Sequence, residues 1–234
     1  YLDILVAKAD DCVGAEVEIY SNQLADGKIL LLENLRFHKE ETDAPSGPGN
    51  HLQFAQKLSR LGEIYVNDAF GVSHRKHASI IGVPEFLPHY GGLLMHQEIE
   101  HLSRVFSPAH PFIFILGGAK FDTKLPIIKK YLKTADKVFV AGALVNNLFK
   151  EKGFEVGTSL VSSGDFNLEQ VINGPNLVLP ADVTITKKNS EVLFKTPDKL
   201  DIDECIVDVG PESVEQMKDL LKDAKTLLWN GPLG

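Results

Sequence analysis

Pro111-Phe-Ile-Phe-Ile-Leu-Gly-Gly-Ala-Lys120-Phe-Asp-Thr-Lys124 is the stretch from which the fold is read. Phe112 to Leu116 is an unbroken apolar run of branched and aromatic residues. That pattern suits a strand buried on both faces, as in a parallel sheet. Gly117-Gly118 ends the run and permits a tight turn with close ligand approach. Asp122-Thr123 reads as a helix start, and Ile127, Ile128, Tyr131 and Leu132 give the helix one apolar face. Lys120 and Lys124 flank its first turn, where positive charge opposes the helix dipole. Free N–H groups, two glycines and two lysines at a helix start describe an anion site; a solvated helix start with fortuitous lysines is the alternative. The spacing is neither G-x-G-x-x-G nor G-x-x-x-x-G-K-[ST], so neither the dinucleotide fingerprint nor the Walker A loop applies.

Outward from this stretch, strands and helices alternate. Strand-like runs occupy Leu2–Ala7, Lys28–Glu33, Glu63–Val66, Lys137–Val140, Asn176–Leu179 and Thr226–Trp229. Helical patterns cover Asp11–Leu24, the segment with Leu52, Ala55, Leu58 and Leu61, the segment around Leu144, Val145, Leu148 and Phe149, and the segment after Gly210-Pro211, where proline takes the first position. Lys39–Asn50 reads as a surface loop and Gly82–Gly92 as a connector. Val183–Phe194, with Lys187 to Ser190, has the pattern of a hairpin. A helix over about Leu93–Phe106 separates the two halves. The expectation is α/β, with two doubly wound parallel-sheet domains joined by that helix: residues 1–92, 93–106 and 107–234.

The 234 residues carry a net charge of −8, with 44% hydrophobic and 24% charged residues. This balance is ordinary for a globular chain and argues against general nucleic-acid or acidic-membrane binding. No apolar run reaches the roughly 20 residues of a membrane span, and no signal peptide is visible. Cys12 and Cys205 lie far apart and suit a reducing cytoplasm. The absence of an initiating Met, and an end on a turn at Leu233-Gly234, suggest a fragment.

Two strands of the first half deliver polar clusters at their carboxyl ends, the edge where open α/β sheets bind ligands. One is Asn34-Leu-Arg36-Phe-His38. The other is Asn67-Asp-Ala-Phe-Gly71, followed by Ser73-His-Arg75-Lys-His77. Arg36 and Arg75 are planar forks suited to phosphate or carboxylate; pairing with Glu33 and Asp68 is the alternative. His38, His74 and His77 match no usual zinc spacing, and no metal site is expected in the chain. Asp68 is a capping or ion-pair group before it is a general base.

Taken together the motifs are similar to those of phosphoglycerate kinases. Leu31-Leu-Glu-Asn-Leu-Arg-Phe-His38, Val66-Asn-Asp-Ala-Phe-Gly71 with His74 to His77, Leu93-Leu-Met95, Ile115-Leu-Gly-Gly-Ala-Lys120, Glu155-Val-Gly-Thr-Ser-Leu160, Gly210-Pro-Glu-Ser213 and Trp229-Asn-Gly-Pro232 fall in that family's order. The resemblance spans nearly the whole chain and implies a glycolytic enzyme moving a phosphoryl group between 1,3-bisphosphoglycerate and ADP, giving 3-phosphoglycerate and ATP. It implies a first domain that holds the glycerate, a second that holds nucleotide with Mg2+, closure about the connecting helix, a monomeric complete form and a cytoplasmic location. Arg36 and Arg75 would bind the glycerate phosphate. Lys120 and Lys124, with the Gly118-Ala119 turn, would hold nucleotide phosphates, and Lys120 would steady the moving phosphoryl. Gly142, Ile206, Asn230 and Pro232 would line the nucleotide pocket. The chain departs from the family pattern where Ala141-Gly142-Ala143 replaces three glycines and Ile206 replaces one, and these changes crowd the base. The magnesium-linked carboxylate and a glycine-rich phosphate loop are absent, so the chain alone is expected not to catalyse transfer. The alternatives are a non-catalytic nucleotide- or anion-binding module and a nicotinamide-dependent oxidoreductase. The second is disfavoured by the missing fingerprint.

Overall fold

A computed structural model describes residues 5–42, 50–187 and 191–234. The chain forms two compact units that divide between Ser103 and Arg104.

In the second unit, β5 (Phe112–Leu116) is buried at every position. Alternate side chains enter two different cores. Phe112, Phe114 and Leu116 meet Phe121, Leu125 and Ile128 of helix α5 (Phe121–Tyr131), and Leu144 and Leu148 of α6 (Ala143–Glu151). Ile113 and Ile115 meet Phe139 of β6 (Lys137–Val140) and Met217, Leu220 and Leu221 of α8 (Pro211–Leu221). Period-two alternation thus sends one strand's side chains to helices on both sheet faces. The parallel sheet has the order β11-β5-β6-β7, with β7 at Leu177–Val178 and β11 at Thr226–Asn230. From β5 the chain winds one way through α5 to β6 and, past the short helix α7 (Glu169–Ile172), to β7. It later returns to the other side of β5 as β11, so the strand order reverses at β5.

The expected hairpin is present as antiparallel β8 (Val183–Thr186) and β9 (Val192–Lys195); Lys188 to Ser190 lie outside the described residues. The sequence pattern does not reveal its third partner, β10 (Cys205–Val209), which pairs antiparallel with β8. Glu204 precedes β10 fully buried, with Lys195 Nζ at 2.7 Å and Lys187 Nζ at 3.3 Å.

The first unit contains β1 (Val6–Lys8) paired parallel with β2 (Ile29–Leu31), helix α1 (Ala15–Asn22) between them, and β3 (Tyr65–Asn67) paired parallel with β4 (His89–Gly91). Helix α3 (Asn50–Ser59) packs Phe54 and Ala55 against Cys12, Ala78 and Val83. Two expectations are corrected. The Lys39–Asn50 loop contains a helical turn, α2 (Lys39–Thr42), anchored because buried Glu41 accepts from Ser79 N (2.9 Å) and Ser79 Oγ (2.6 Å); residues 43–49 lie outside the described residues. The Gly82–Gly92 connector contains β4, hidden from pattern reading because His-Tyr-Gly is short and exposed. Helix α4 runs Leu93–Ser103, with a tighter turn over Arg104–Phe106. Among the described residues no helix is long and apolar enough to cross a membrane.

Candidate functional site

The reversal of strand order at β5 defines where an open sheet leaves a crevice, at the carboxyl ends of β5 and β11. Three backbone turns meet there. Gly117 N donates to Asn230 O at 2.9 Å. A Cβ on Gly117 would lie 1.8 Å from Pro232 O, one on Gly231 2.3 Å from Gly117 O, and one on Gly142 2.8 Å from Gly118 N. Gly142 and Gly231 also have φ of 62° and 81°, a region that disfavours other residues. The glycines therefore bring main chain against main chain and leave the crevice unfilled.

Over these turns opens a cavity of about 180 Å³, lined by Gly118, Ala119, Gly142, Ile206 and Pro232 among others. Its lining is apolar except for Asp208, a charged residue that sequence pattern does not single out. The volume is below the roughly 300–1,000 Å³ of pockets that enclose a drug-sized ligand. It suits the flat apolar part of a ligand whose charged part lies outside.

That outer ground is the start of α5. Lys120 occupies the cap position and its own side chain makes no capping bond; instead Phe121 N donates to Ser162 Oγ at 3.3 Å. Asp122 and Thr123, read as the helix start, lie inside its first turn, and Thr123 Oγ1 donates back to Lys120 O. Lys120 is exposed and makes no ion pair among the described residues. Lys124 Nζ donates to Asn230 Oδ1 at 2.6 Å. An ammonium has three donors, so two remain for an anion. Asn230 is not among the residues that line this cavity; it holds Lys124, across 106 positions of sequence.

In the first unit, Asn34 Oδ1 accepts from Arg36 N (3.0 Å) and pins the turn Leu35–Phe37 after β2. Arg36 lines a cavity of about 330 Å³ together with Asn34, Asn67, Asp68, Glu41 and His77. The pairing of Arg36 with Glu33 does not form. Glu33 is taken by Lys8 (2.6 Å), whose hydrogen bond holds the Glu33 carboxyl below the usual range. Arg75 does not pair with Asp68. It is exposed, its N–H donates to Val72 O (2.9 Å), and it does not line the Arg36 cavity. The structure therefore does not bring the two arginines to one cavity wall.

The three histidines do not converge. His38 Nε2 meets Asp11 Oδ1 at 2.7 Å, His77 Nδ1 lies 3.5 Å from Glu41, and His74 is exposed. Among the described residues one group of three side chains has metal-ligand proximity: Asp11, Cys12 and His38, within 4.8 Å of one another. Burial pushes the Cys12 thiol up to about 12. A buried protonated thiol is a poor ligand for a hard, oxygen-seeking cation such as Mg2+.

The sequence profile of the family described as phosphoglycerate kinase matches residues 1–234. The phosphoglycerate kinase of Aquifex aeolicus is 41% identical over the whole chain and 60% of its own length. That of Dictyoglomus turgidum is 39% identical over 98% of the chain and 59% of its length. The solved phosphoglycerate kinase of Pyrococcus horikoshii superposes with a TM-score of 0.79 at 27% identity, covering 99% of this chain and 61% of that one. The chain thus spans about 60% of the length of these relatives.

Proposed function

The chain belongs to the phosphoglycerate kinase family, and from that premise we propose that it serves reversible phosphoryl transfer between 1,3-bisphosphoglycerate and ADP. One observation carries the reading. Two lysines stand at a helix start beside an apolar cavity, at the point where strand order reverses. In this reading the base enters the cavity against Gly142, Ile206 and Pro232. The phosphates lie over Gly118-Ala119 and on Lys120 and Lys124. The acid substrate is held through Arg36, with Arg75 reaching it from outside the cavity wall.

Phosphoryl transfer needs no protein nucleophile. It needs two substrates aligned and the charge on the transferring group neutralised. The P–O bond to the acyl oxygen breaks as a terminal ADP oxygen forms the new one. Lys120, exposed and unpaired among the described residues, supplies charge to the moving group. Lys124, oriented by Asn230, supplies charge to the nucleotide phosphates. Magnesium would travel with the nucleotide, but Asp11, Cys12 and His38 do not suit it, so no step is assigned to it. The helix Leu93–Ser103 is taken as the connector between the glycerate and nucleotide domains, and the reaction as cytoplasmic, where both free cysteines stay reduced.

Calorimetry with ADP tests the reading. Lys124→Ala should weaken binding by about 1–3 kcal/mol, the loss of a charge-assisted hydrogen bond. Asn230→Ala should weaken it less, because the charge stays and only its orientation is lost. Unchanged affinity in Lys124→Ala would remove the phosphates from this helix start.

A further inference from the structure

The segments that leave two neighbouring parallel strands meet in a side-chain cluster to which phosphoryl transfer assigns no step. Asp11 and Cys12 follow β1, and His38 follows the turn Leu35–Phe37 beyond β2. Main chain ties the two segments together: Ala9 N donates to Leu31 O (2.9 Å) and Glu33 N to Asp11 O (3.4 Å). Asp11 Oδ1 accepts from Cys12 N at 2.6 Å and meets His38 Nε2 at 2.7 Å. The His38 ring lies against Phe54, with centroids 5.2 Å apart, which limits its tilt. Cys12 is wholly buried in the core with Phe54, Ala55, Ala78 and Val83, whereas Asp11 and His38 both reach solvent. A carboxylate oxygen, an imidazole nitrogen and a sulfur thus lie within 4.8 Å of one another, with a way in from water.

A carboxylate beside an imidazole is by itself an ordinary surface pair. A sulfur within reach turns it into a donor set of one oxygen, one nitrogen and one sulfur, the three ligand types that Zn2+ accepts. Tetrahedral Zn2+, with bonds of about 2.0–2.3 Å, holds its ligand atoms roughly 3.3–3.5 Å apart. The Asp11–His38 pair would open by about 0.6 Å, and neither distance to Cys12 Sγ need close by more than about 1.5 Å. We propose that Asp11, Cys12 and His38 form a three-ligand Zn2+ site whose fourth position is open to water. The Zn–S bond forms as the Cys12 thiol gives its proton to the buffer. Burial alone keeps that thiol protonated, and a dipositive ion at bonding distance reverses the balance. His38 Nε2 exchanges its hydrogen for the metal, and Nδ1 carries the one hydrogen of the neutral ring. No group is oxidised or reduced. The bound ion links the exits of β1 and β2 across 26 positions of sequence, in the unit with the smaller core.

Cobalt and zinc titrations of the folded 234-residue chain test the site. Cys205→Ser first removes the other thiol, so that any sulfur ligation comes from Cys12. Co2+ should then give a near-ultraviolet thiolate-to-cobalt band together with the strong visible bands of tetrahedral coordination, and added Zn2+ should displace it. Cys12→Ser should abolish the thiolate band. That variant alters the core, so two surface variants carry the test independently of it. Asp11→Asn and His38→Gln should both fold, as followed by circular dichroism, and each should weaken Zn2+ binding in calorimetry by at least roughly tenfold. A folded Cys205→Ser protein that gives no thiolate band with Co2+ overturns the proposal. So does a Zn2+ affinity that either Asp11→Asn or His38→Gln leaves unchanged, because the metal then sits on other surface groups.

Discussion

At the scale of single residues, Arg36 and Arg75 test what a guanidinium contributes beyond charge. Arg36→Lys keeps the charge but loses the planar fork, so affinity for 3-phosphoglycerate in calorimetry should fall. Arg75 lies off the cavity wall, so Arg75→Lys should cost less; equal losses would show that both forks grip one phosphate. Glu204 makes a different prediction. Burial pushes its carboxyl up, but the Asp201 N–H together with Lys195 and Lys187 outweighs burial and holds it below the usual range. A carboxyl lower in the fold than in the unfolded chain adds stability above roughly pH 4.3, and that share is lost as pH falls through the folded value. The urea midpoint of the second unit, read from the fluorescence of Trp229, should therefore drop in the acid limb. Glu204→Gln should be less stable at pH 7 and show a flatter acid limb. An identical pH profile in both proteins would remove Glu204 as the source.

At the scale of elements, the turn after β5 rests on contact geometry that no side chain can relieve. Gly117→Ala would place a methyl 1.8 Å from a main-chain carbonyl oxygen, so something in the backbone must move. The expected cost is at least about 1–3 kcal/mol, the range for overpacking. Nucleotide affinity should fall with it, because the displaced Pro232 lines the cavity. Thermal unfolding and ADP calorimetry read the two effects. A Gly117→Ala protein of unchanged midpoint and affinity would show that the turn is not held by this contact.

At the scale of the whole molecule, the two units are unequally provided with core. Among the described residues the first unit buries few large apolar side chains, chiefly Val17, Phe54 and Val83, whereas the second buries Phe112, Phe114, Phe121, Phe139 and Phe149 with many aliphatic partners. Leu5, Leu31, Val66 and Tyr90 of the first unit are exposed. Burial scales with the stabilisation available, so the units should unfold in separate steps, the first at lower denaturant. The chain has one Trp, in the second unit. Its fluorescence midpoint in urea should lie above the midpoint by circular dichroism; coincident curves would show a single cooperative molecule.

The sequence by itself determined the class of fold and placed the candidate site at the carboxyl end of β5. An all-apolar run of five residues has no face to give to water, so it must be a central strand. Gly117-Gly118 and the two lysines then mark its carboxyl end. The same local chemistry made Arg36 and Asp68 visible as polar residues at strand ends. Short or exposed elements were not legible. The strand His89–Gly91 exists through main-chain bonds to β3, and the turn Lys39–Thr42 through a Glu41 carboxylate buried against Ser79, neither of which has a periodic signature. The partners were not legible either. That Asn230 holds Lys124, that Asp68 caps a helix 27 residues away, and that Arg36 and Arg75 do not line one cavity are outcomes of how distant segments cross. Local sequence sets which groups a turn can present; which of them meet depends on the packing of sheet and helices, and that only the tertiary structure decided.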